Sequence, residues 1–256
     1  MSALHMLRVP LDAVKLMALA QRRGMPTREL DLGYMIHCAL DELFGPALSP
    51  KPFSFPLPTK GEGPGRVIPV LAYGEHDTEA MRAHASAFAE PGVHNLCHWN
   101  ELAHKRMPER FEAGRQLGFT VRVCPVVRVA KAGEHQDKPG AEVDAFLVAC
   151  RRVARDVQVS REAVYVDWLR AELTRRGGAT LDDAKMTRFE RERLFRRRTA
   201  GADGARKVKL TERPDAVLEG TLTVTDPVAF DALLRRGVGR HRAFGFGMLL
   251  LRPPGR

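Results

Sequence analysis

The spacing of apolar positions changes several times along the chain, and each change marks an element. Residues 4–9 have the apolar content of a first strand, and Pro10, Leu11 and Asp12 then open a helical stretch that ends near Gly24. From Leu32 the period is helical: at about 100° per residue, Leu32, Met35, Ile36, Ala39, Leu40 and Leu43 gather on one face. Asp31 occupies the N-cap position, and Gly45-Pro46 supplies a stop after Phe44. The opposite face of this helix stacks Tyr34, His37 and Asp41, so that a hydroxyl, an imidazole and a carboxylate converge beside the core. Taken alone, these are equally the ordinary solvated residues of a polar helix face.

Prolines and glycines mark residues 46–66 as a long loop, residues 67–73 read as a strand and residues 79–89 as a helix. Between Pro91 and Gln116 no period dominates. Alternation returns over residues 117–128 as a strand interrupted or ended at Pro125, followed by a polar stretch, 131–140, expected to be a mobile loop. Residues 161–175 form an amphipathic helix with Val164, Trp168 and Leu169 inward. Trp168 belongs to that apolar stripe, which favours a core role over a platform for stacking bases. Asp226-Pro227 starts a short helix through Arg236, and the apolar run 248–251 ends the pattern as a strand.

Charge narrows the function classes. The 256 residues hold 41 Lys and Arg against 31 Asp and Glu, net +10, which favours a polyanionic partner. No apolar run reaches the ~18 residues of a membrane span, and residues 1–9 are too short and polar for a secretory signal, so a cytoplasmic protein without a membrane partner is expected. Cys38, Cys97, Cys124 and Cys150 are scattered, without a Cys-x-x-Cys pair, and reduced thiols are expected. His94, Cys97, His98 and His104 are too irregular for a zinc pattern, and neither a metal nor another cofactor is expected. The basic residues concentrate at 185–209, where a turn through Gly201, Ala202, Asp203 and Gly204 makes a hairpin. Such a ribbon can grip both phosphate ridges of a duplex, although Glu190 and Glu192 also allow a salt-bridged solvated face.

The stretch Gly237-Val238-Gly239-Arg240-His241-Arg242-Ala243-Phe244-Gly245-Phe246-Gly247 reads as a phosphate cradle: glycines permit close backbone approach, and arginines add charge. It follows a helix and precedes a strand, the reverse of a dinucleotide fingerprint. This glycine pattern, basic in its middle and preceded by Leu218-Glu219-Gly220-Thr221-Leu222-Thr223-Val224, resembles the signature of the repeat-associated RNA-processing proteins of CRISPR systems, in the variant of the type I-E pre-crRNA endoribonucleases. Tyr34-Met35-Ile36-His37 resembles that family's Tyr-x-x-His helix. Residues 117–128 resemble its Phe-Arg-Leu-Arg-Ala-Asn-Pro strand, with Cys124 in place of Asn and Val123 in place of Ala, and the Trp168-Leu169 helix also matches.

The resemblance implies an α+β chain of two ferredoxin-like domains in tandem, expected over 1–116 and 117–256, with a central cleft that the glycine loop faces. It implies His37 as the catalytic residue with Tyr34 beside it. It further implies cleavage of CRISPR repeat stem-loops by the RNA's own 2′-OH, without metal, leaving a 2′,3′-cyclic phosphate and a 5′-OH. Retention on the crRNA hairpin among other Cascade subunits is also implied. Asp41 as an orienting group for His37 follows from helical spacing instead. Contact with RNA is expected from Arg122, Arg128, Arg188, Arg191, Arg193, Arg196, Arg197, Arg198, Arg206, Lys207 and Lys209, and from Gly237, Gly239, Arg240, His241, Arg242, Gly245 and Gly247. The alternative is an assembly subunit that binds the hairpin without cutting it.

Overall fold

A computed structural model describes residues 2–25, 31–57, 65–130, 139–154, 156–197 and 208–255. The first half runs β1 (His5–Asp12), α1 (Ala13–Arg22), α2 (Leu32–Leu48), β2 (Phe53–Ser54), β3 (Val67–Gly74), α3 (Thr78–Phe88), α4 (Pro91–His94) and β4 (Ala103–Arg106). The second runs β5 (Gln116–Val123), β6 (Val126–Arg128), β7 (Glu142–Asp144), α5 (Ala145–Cys150), α6 (Arg161–Arg176), β8 (Ala179–Arg197), β9 (Val208–Val224), α7 (Pro227–Arg236) and β10 (Leu250–Arg252). The two four-stranded sheets have orders β2-β3-β1-β4 and β10-β5-β9-β8, and every pairing is antiparallel. Numbered within its own half, each sheet places its first strand between the third and the fourth, the order that a ferredoxin-like β-α-β-β-α-β chain produces. The protein is an α+β chain of two such domains in tandem.

Local chemistry accounts for the elements that build the site. The Asp31 carboxylate caps α2 by accepting the Tyr34 N–H at 2.8 Å, and Leu32, Met35, Ile36, Ala39, Leu40 and Leu43 are all buried, as the helical period predicts. Burying side chains of this size stabilises the fold by about 1.5–3 kcal/mol each. At Gly45 the backbone turns to φ 67° and breaks the helix before a last turn to Leu48. The first strand runs further than predicted: Pro10, Leu11 and Asp12 belong to β1, and only the Asp12 side chain caps α1. Pro10 is tolerated in this central strand because β4 pairs only with residues 5–8, and on the other side Pro10 lies opposite Pro69.

In α6 the buried stripe is Tyr165, Leu169 and Leu173, a phase that leaves Val164 and Trp168 half-buried on its flank rather than inward. The basic hairpin is the top of a longer ribbon, since β8 and β9 pair from Ala179 with Val224 to Arg197 with Val208. Its predicted turn, and nearly all of the polar stretch 131–140, lie outside the described residues.

Each half has its own apolar core, and the two halves are also packed together. Leu4, Tyr73, Met107 and Phe111 from before β5 belong to the second core, and the Tyr73 hydroxyl donates to the Leu249 carbonyl at 2.8 Å. A cleft of about 500 Å³ between the sheets is walled by Arg8 and Leu71 from one and by Thr120, Val217 and Leu250 from the other. The glycine loop is not part of its lining, contrary to expectation. Its place is against the N-terminus of α2, where β2 and α2 leave room for it. Among the described residues no helix is long and apolar enough to cross a membrane.

Candidate active site

The two halves of the chain meet at Phe244. Gly33 makes this possible: a Cβ there would lie 2.2 Å from the Phe244 carbonyl oxygen, so any other residue would push the loop off the helix. The Phe244 ring stacks on Tyr34 with centroids 5.9 Å apart and meets His37 edge-on at 5.1 Å, while the Tyr34 and His37 rings lie 6.3 Å apart. One carboxylate oxygen of Asp41 lies 3.6 Å from His37 Nδ1, and the other lies 2.9 Å from Lys51 Nζ. The helical spacing that grouped Tyr34, His37 and Asp41 therefore describes their real arrangement. Lys51 went unread, because nothing in a proline-rich loop signals that it folds back onto α2.

The loop is closed by its own backbone. Val238 N–H donates to Gly247 O at 2.8 Å, Gly247 N–H to Arg122 O at 2.7 Å, and Phe244 N–H to His241 O at 2.8 Å, so these amides are not offered to an anion as a cradle requires. Gly237, Gly239, Gly245 and Gly247 all have positive φ, but their smallness serves packing: a Cβ on Gly245 would lie 2.3 Å from the Phe55 ring. His241 also has positive φ, 61°, at a cost on the order of 1 kcal/mol. Its Nε2 lies 3.0 Å from Glu142, which also takes the Arg240 guanidinium and lies 3.3 Å from Arg213. Burial pushes the Glu142 carboxyl up, but His241 and Arg240 outweigh it and hold it down at about 2. Arg240 and His241, expected to face RNA, are thus first of all partners of a carboxylate from β7 that sequence reasoning did not single out.

Arg122 is the clearest correction. Expected at the RNA surface, it is buried, bidentate on Asp215 at 2.9 Å, bonded to Glu192, and laid over the Phe246 ring at 4.2 Å. Alternation on β5 turns it away from the core face, but Asp215 of β9, Glu192 of β8 and the rings of Phe55 and Phe246 surround that position. With Arg122 already committed to Asp215, burial and the Asp215 and Asp31 charges raise the Glu192 carboxyl to about 7, against the pull of Arg122.

Other predicted residues are spread out. Arg128 is exposed near the loop; Arg188 pairs with Glu190 and Asp215, Arg191 pairs with Glu212, and Arg193 is exposed on β8. Part of the basic run is therefore the salt-bridged face that Glu190 allowed. Arg196, Arg197 and Lys209 lie on the strands, whereas Arg198, Arg206 and Lys207 are outside the described residues.

Cations also converge beside the loop. A pocket of about 850 Å³ beside Phe244 is walled by Lys51, Arg128, Trp168, Arg175, Arg176, Arg235, Arg236, Arg240, His241 and Arg242, with Glu172 as its lone carboxylate. His37 borders the pocket through Phe244. His94, Cys97, His98 and His104 do not converge: His94 stacks on Trp99, Cys97 is buried with its thiol pushed up to about 12, and His104 bonds to Thr78. No group of three or more His, Cys, Asp and Glu among the described residues could hold a metal.

Residues 4–253 match the family model described as CRISPR associated protein. The chain belongs to this CRISPR-associated protein family. No curated protein matches it. Among solved structures, the fold is similar to CRISPR endoribonuclease Cse3 bound to a 19-nucleotide RNA, with TM-score 0.63 and 19% identity over 98% of this chain and 100% of that one. It is similar also to the CRISPR-associated protein Cas6e from Escherichia coli str. K-12, with TM-score 0.54 and 17% identity over 97% and 99%. A chain of a CRISPR RNA-guided surveillance complex matches with TM-score 0.51 and 13% identity over 98% and 99%. At these identities the likeness establishes the fold that this CRISPR-associated chain shares with them.

Proposed function

We propose that this protein is a metal-independent endoribonuclease that cuts the stem-loop of CRISPR repeat transcripts. The observation that carries the reading is the meeting of Tyr34 and His37, from the first domain, with Phe244 of the glycine loop, from the second, at the edge of an arginine-lined pocket. RNA brings its own nucleophile. The 2′-oxygen attacks the adjacent phosphorus, the bond from phosphorus to the 5′-oxygen breaks, and a 2′,3′-cyclic phosphate and a 5′-OH result. The protein has only to align these atoms, move two protons and balance charge. His37 moves a proton, as base at the 2′-OH or acid at the 5′-oxygen, and Tyr34 positions or shares it. Asp41 and Lys51 fix the imidazole's side of the helix, and Lys51 and Arg240, which line the pocket beside Phe244, offset the charge that builds on the phosphate.

The β8–β9 ribbon supplies affinity for the stem with little regard to sequence, while hairpin shape and the bases at its foot decide register. The family resemblance implies that the product hairpin stays bound and that the protein works beside other Cascade subunits, and the fold shared with a chain of a CRISPR RNA-guided surveillance complex supports that reading. The domain division implied for 1–116 and 117–256 puts the proton-moving pair in one domain and most of the RNA-binding charge in the other. The deciding experiment incubates repeat RNA with the protein in EDTA, comparing wild type with His37→Ala. Cleavage by wild type, lost in the variant while binding persists, is the expected result. Tight binding with no cut by either would make the protein a hairpin-binding assembly subunit.

A further inference from the structure

We infer that the arginine-lined pocket beside Phe244 is a binding site for unpaired nucleotides flanking the repeat hairpin, with Trp168 as the base platform and Arg176, Arg236 and Arg242 as the phosphate contacts. The inference deepens the nuclease reading and rests on it, since it names the part of the RNA that this side of the site receives.

Three observations carry it. First, like charges are crowded there and only partly compensated. Arg236 and Arg242 have no carboxylate partner among the described residues, Arg242 donates instead to the Arg236 carbonyl, and Arg176 donates to the Gly239 carbonyl at 3.3 Å while sharing Glu172 with Arg175. Burial, and then the Arg176 and Arg236 charges, pull Arg242 below the ordinary arginine value, against the smaller effect of Glu172. Such crowding has a simple source: α6 ends in Arg175 and Arg176 and α7 in Arg235 and Arg236, so two helix C-termini deliver their basic last turns to one pocket.

Second, the pocket has an aromatic wall. Trp168 is half-buried, its Nε1 donates to the Val126 carbonyl at 3.3 Å, and a Cβ on Gly239 would lie 2.7 Å from its ring, so the indole is held in one orientation with an edge on the pocket. Cationic grooves with fixed aromatic rings are the usual means of holding single-stranded nucleic acid. The volume, about 850 Å³, is in the range of about 300–1,000 Å³ that small organic ligands occupy. Third, the pocket and the catalytic pair share Phe244 as a wall. A nucleotide in the pocket is therefore a near neighbour of the bond being cut, where the strand has left the stem. A stem alone leaves the pocket unused.

The test compares three RNAs: the repeat hairpin ending flush at its stem, and the same hairpin with four unpaired nucleotides added on the 5′ or the 3′ side, each with a 2′-deoxy sugar at the cleavage position so that binding is read without turnover. Arg236 is exposed and Arg242 half-buried, so Arg236→Gln/Arg242→Gln keeps the fold. The expected result is that one flank tightens wild-type binding by about tenfold, the scale of one nucleotide held by stacking and phosphate contact together, and that the double variant loses most of that gain. Its salt slope on the flanked RNA falls by about 1.4, for two phosphate contacts on a single strand, and flush-hairpin affinity stays within about twofold. Equal loss on flanked and flush RNAs, or no loss on either, overturns the inference. If wild type binds no hairpin at all, the nuclease reading fails, and an isolated single-stranded oligonucleotide decides the pocket separately. Binding that the double variant loses keeps the site, and no binding removes it.

Discussion

The two ferredoxin-like halves share one strand order and use it in opposite ways. In the first, the second strand of the fold has shrunk to Phe53–Ser54, and the helix before it carries the proposed catalytic pair, Tyr34 and His37. In the second, the corresponding strand is the 19-residue β8, and charge is spread along it and around the helix C-termini. Half of the proposed site is built from rings packed on a core, and half from cations of which only some are held in ion pairs. In the proposed reading one scaffold thus supplies position from one copy and affinity from the other, and the two meet at Gly33 and Phe244.

Breaking the first half's contribution has the largest expected effect. His37→Ala lowers cleavage by about 10²–10⁴-fold, the scale of a lost proton-transfer group, while repeat-RNA affinity is retained; a single-turnover assay in EDTA with a parallel binding titration checks both. Arg122→Met attacks the second half's internal electrostatics. It strands Asp215 and Glu192 and lowers stability by about 3–5 kcal/mol, read by urea unfolding. Gly33→Ala acts on the contact itself: driving a methyl group against the Phe244 carbonyl costs about 3 kcal/mol or forces the loop away, and either result shows as a lower Tm together with slower cleavage.

Two smaller effects sharpen the contrast. Glu192 has a folded value of about 7, above the ordinary 4.5, so between those values the fold keeps a proton that the unfolded chain has released. Its contribution to stability therefore falls as pH rises through that window, by on the order of 2 kcal/mol, and Glu192→Gln removes the fall. Glu142 has the opposite sign: held at about 2, it contributes stability above 4.5 that is lost as pH drops toward 2. Stability curves of wild type and the two glutamine variants separate these slopes. Asp41→Asn has the least effect, about fivefold or less on the cleavage rate, because a half-exposed carboxylate is worth up to about 1 kcal/mol to its neighbours.

The arrangement of the first half's proposed site was legible because it lies within one helix. Tyr34, His37 and Asp41 are related by the helical period, and the Asp31 cap and the apolar face set the phase of that helix. The second half's site was not legible in that way. Arg122 alternates on β5 as a surface residue would, yet its burial depends on Asp215, 93 positions away, and on Phe246. Glu142 lies 98 and 99 positions before the two loop residues it holds. Trp168 was assigned inward from its stripe, but the one-residue difference in phase that moves it to the flank comes from the packing of Tyr165 and Leu169 against the sheet.

By itself, then, the amino-acid sequence determined what repeats over a turn or a strand: the capped Tyr34 and His37 helix, the basic ribbon, and the glycine pattern that marks the family. Only the tertiary structure decided which arginines are left without a carboxylate among the described residues and which neutralise a buried one, and that the loop's amides are taken by backbone carbonyls. Helical and strand periods are set by backbone geometry over a few neighbours, whereas burial and ion pairing depend on distances between segments that no local period encodes.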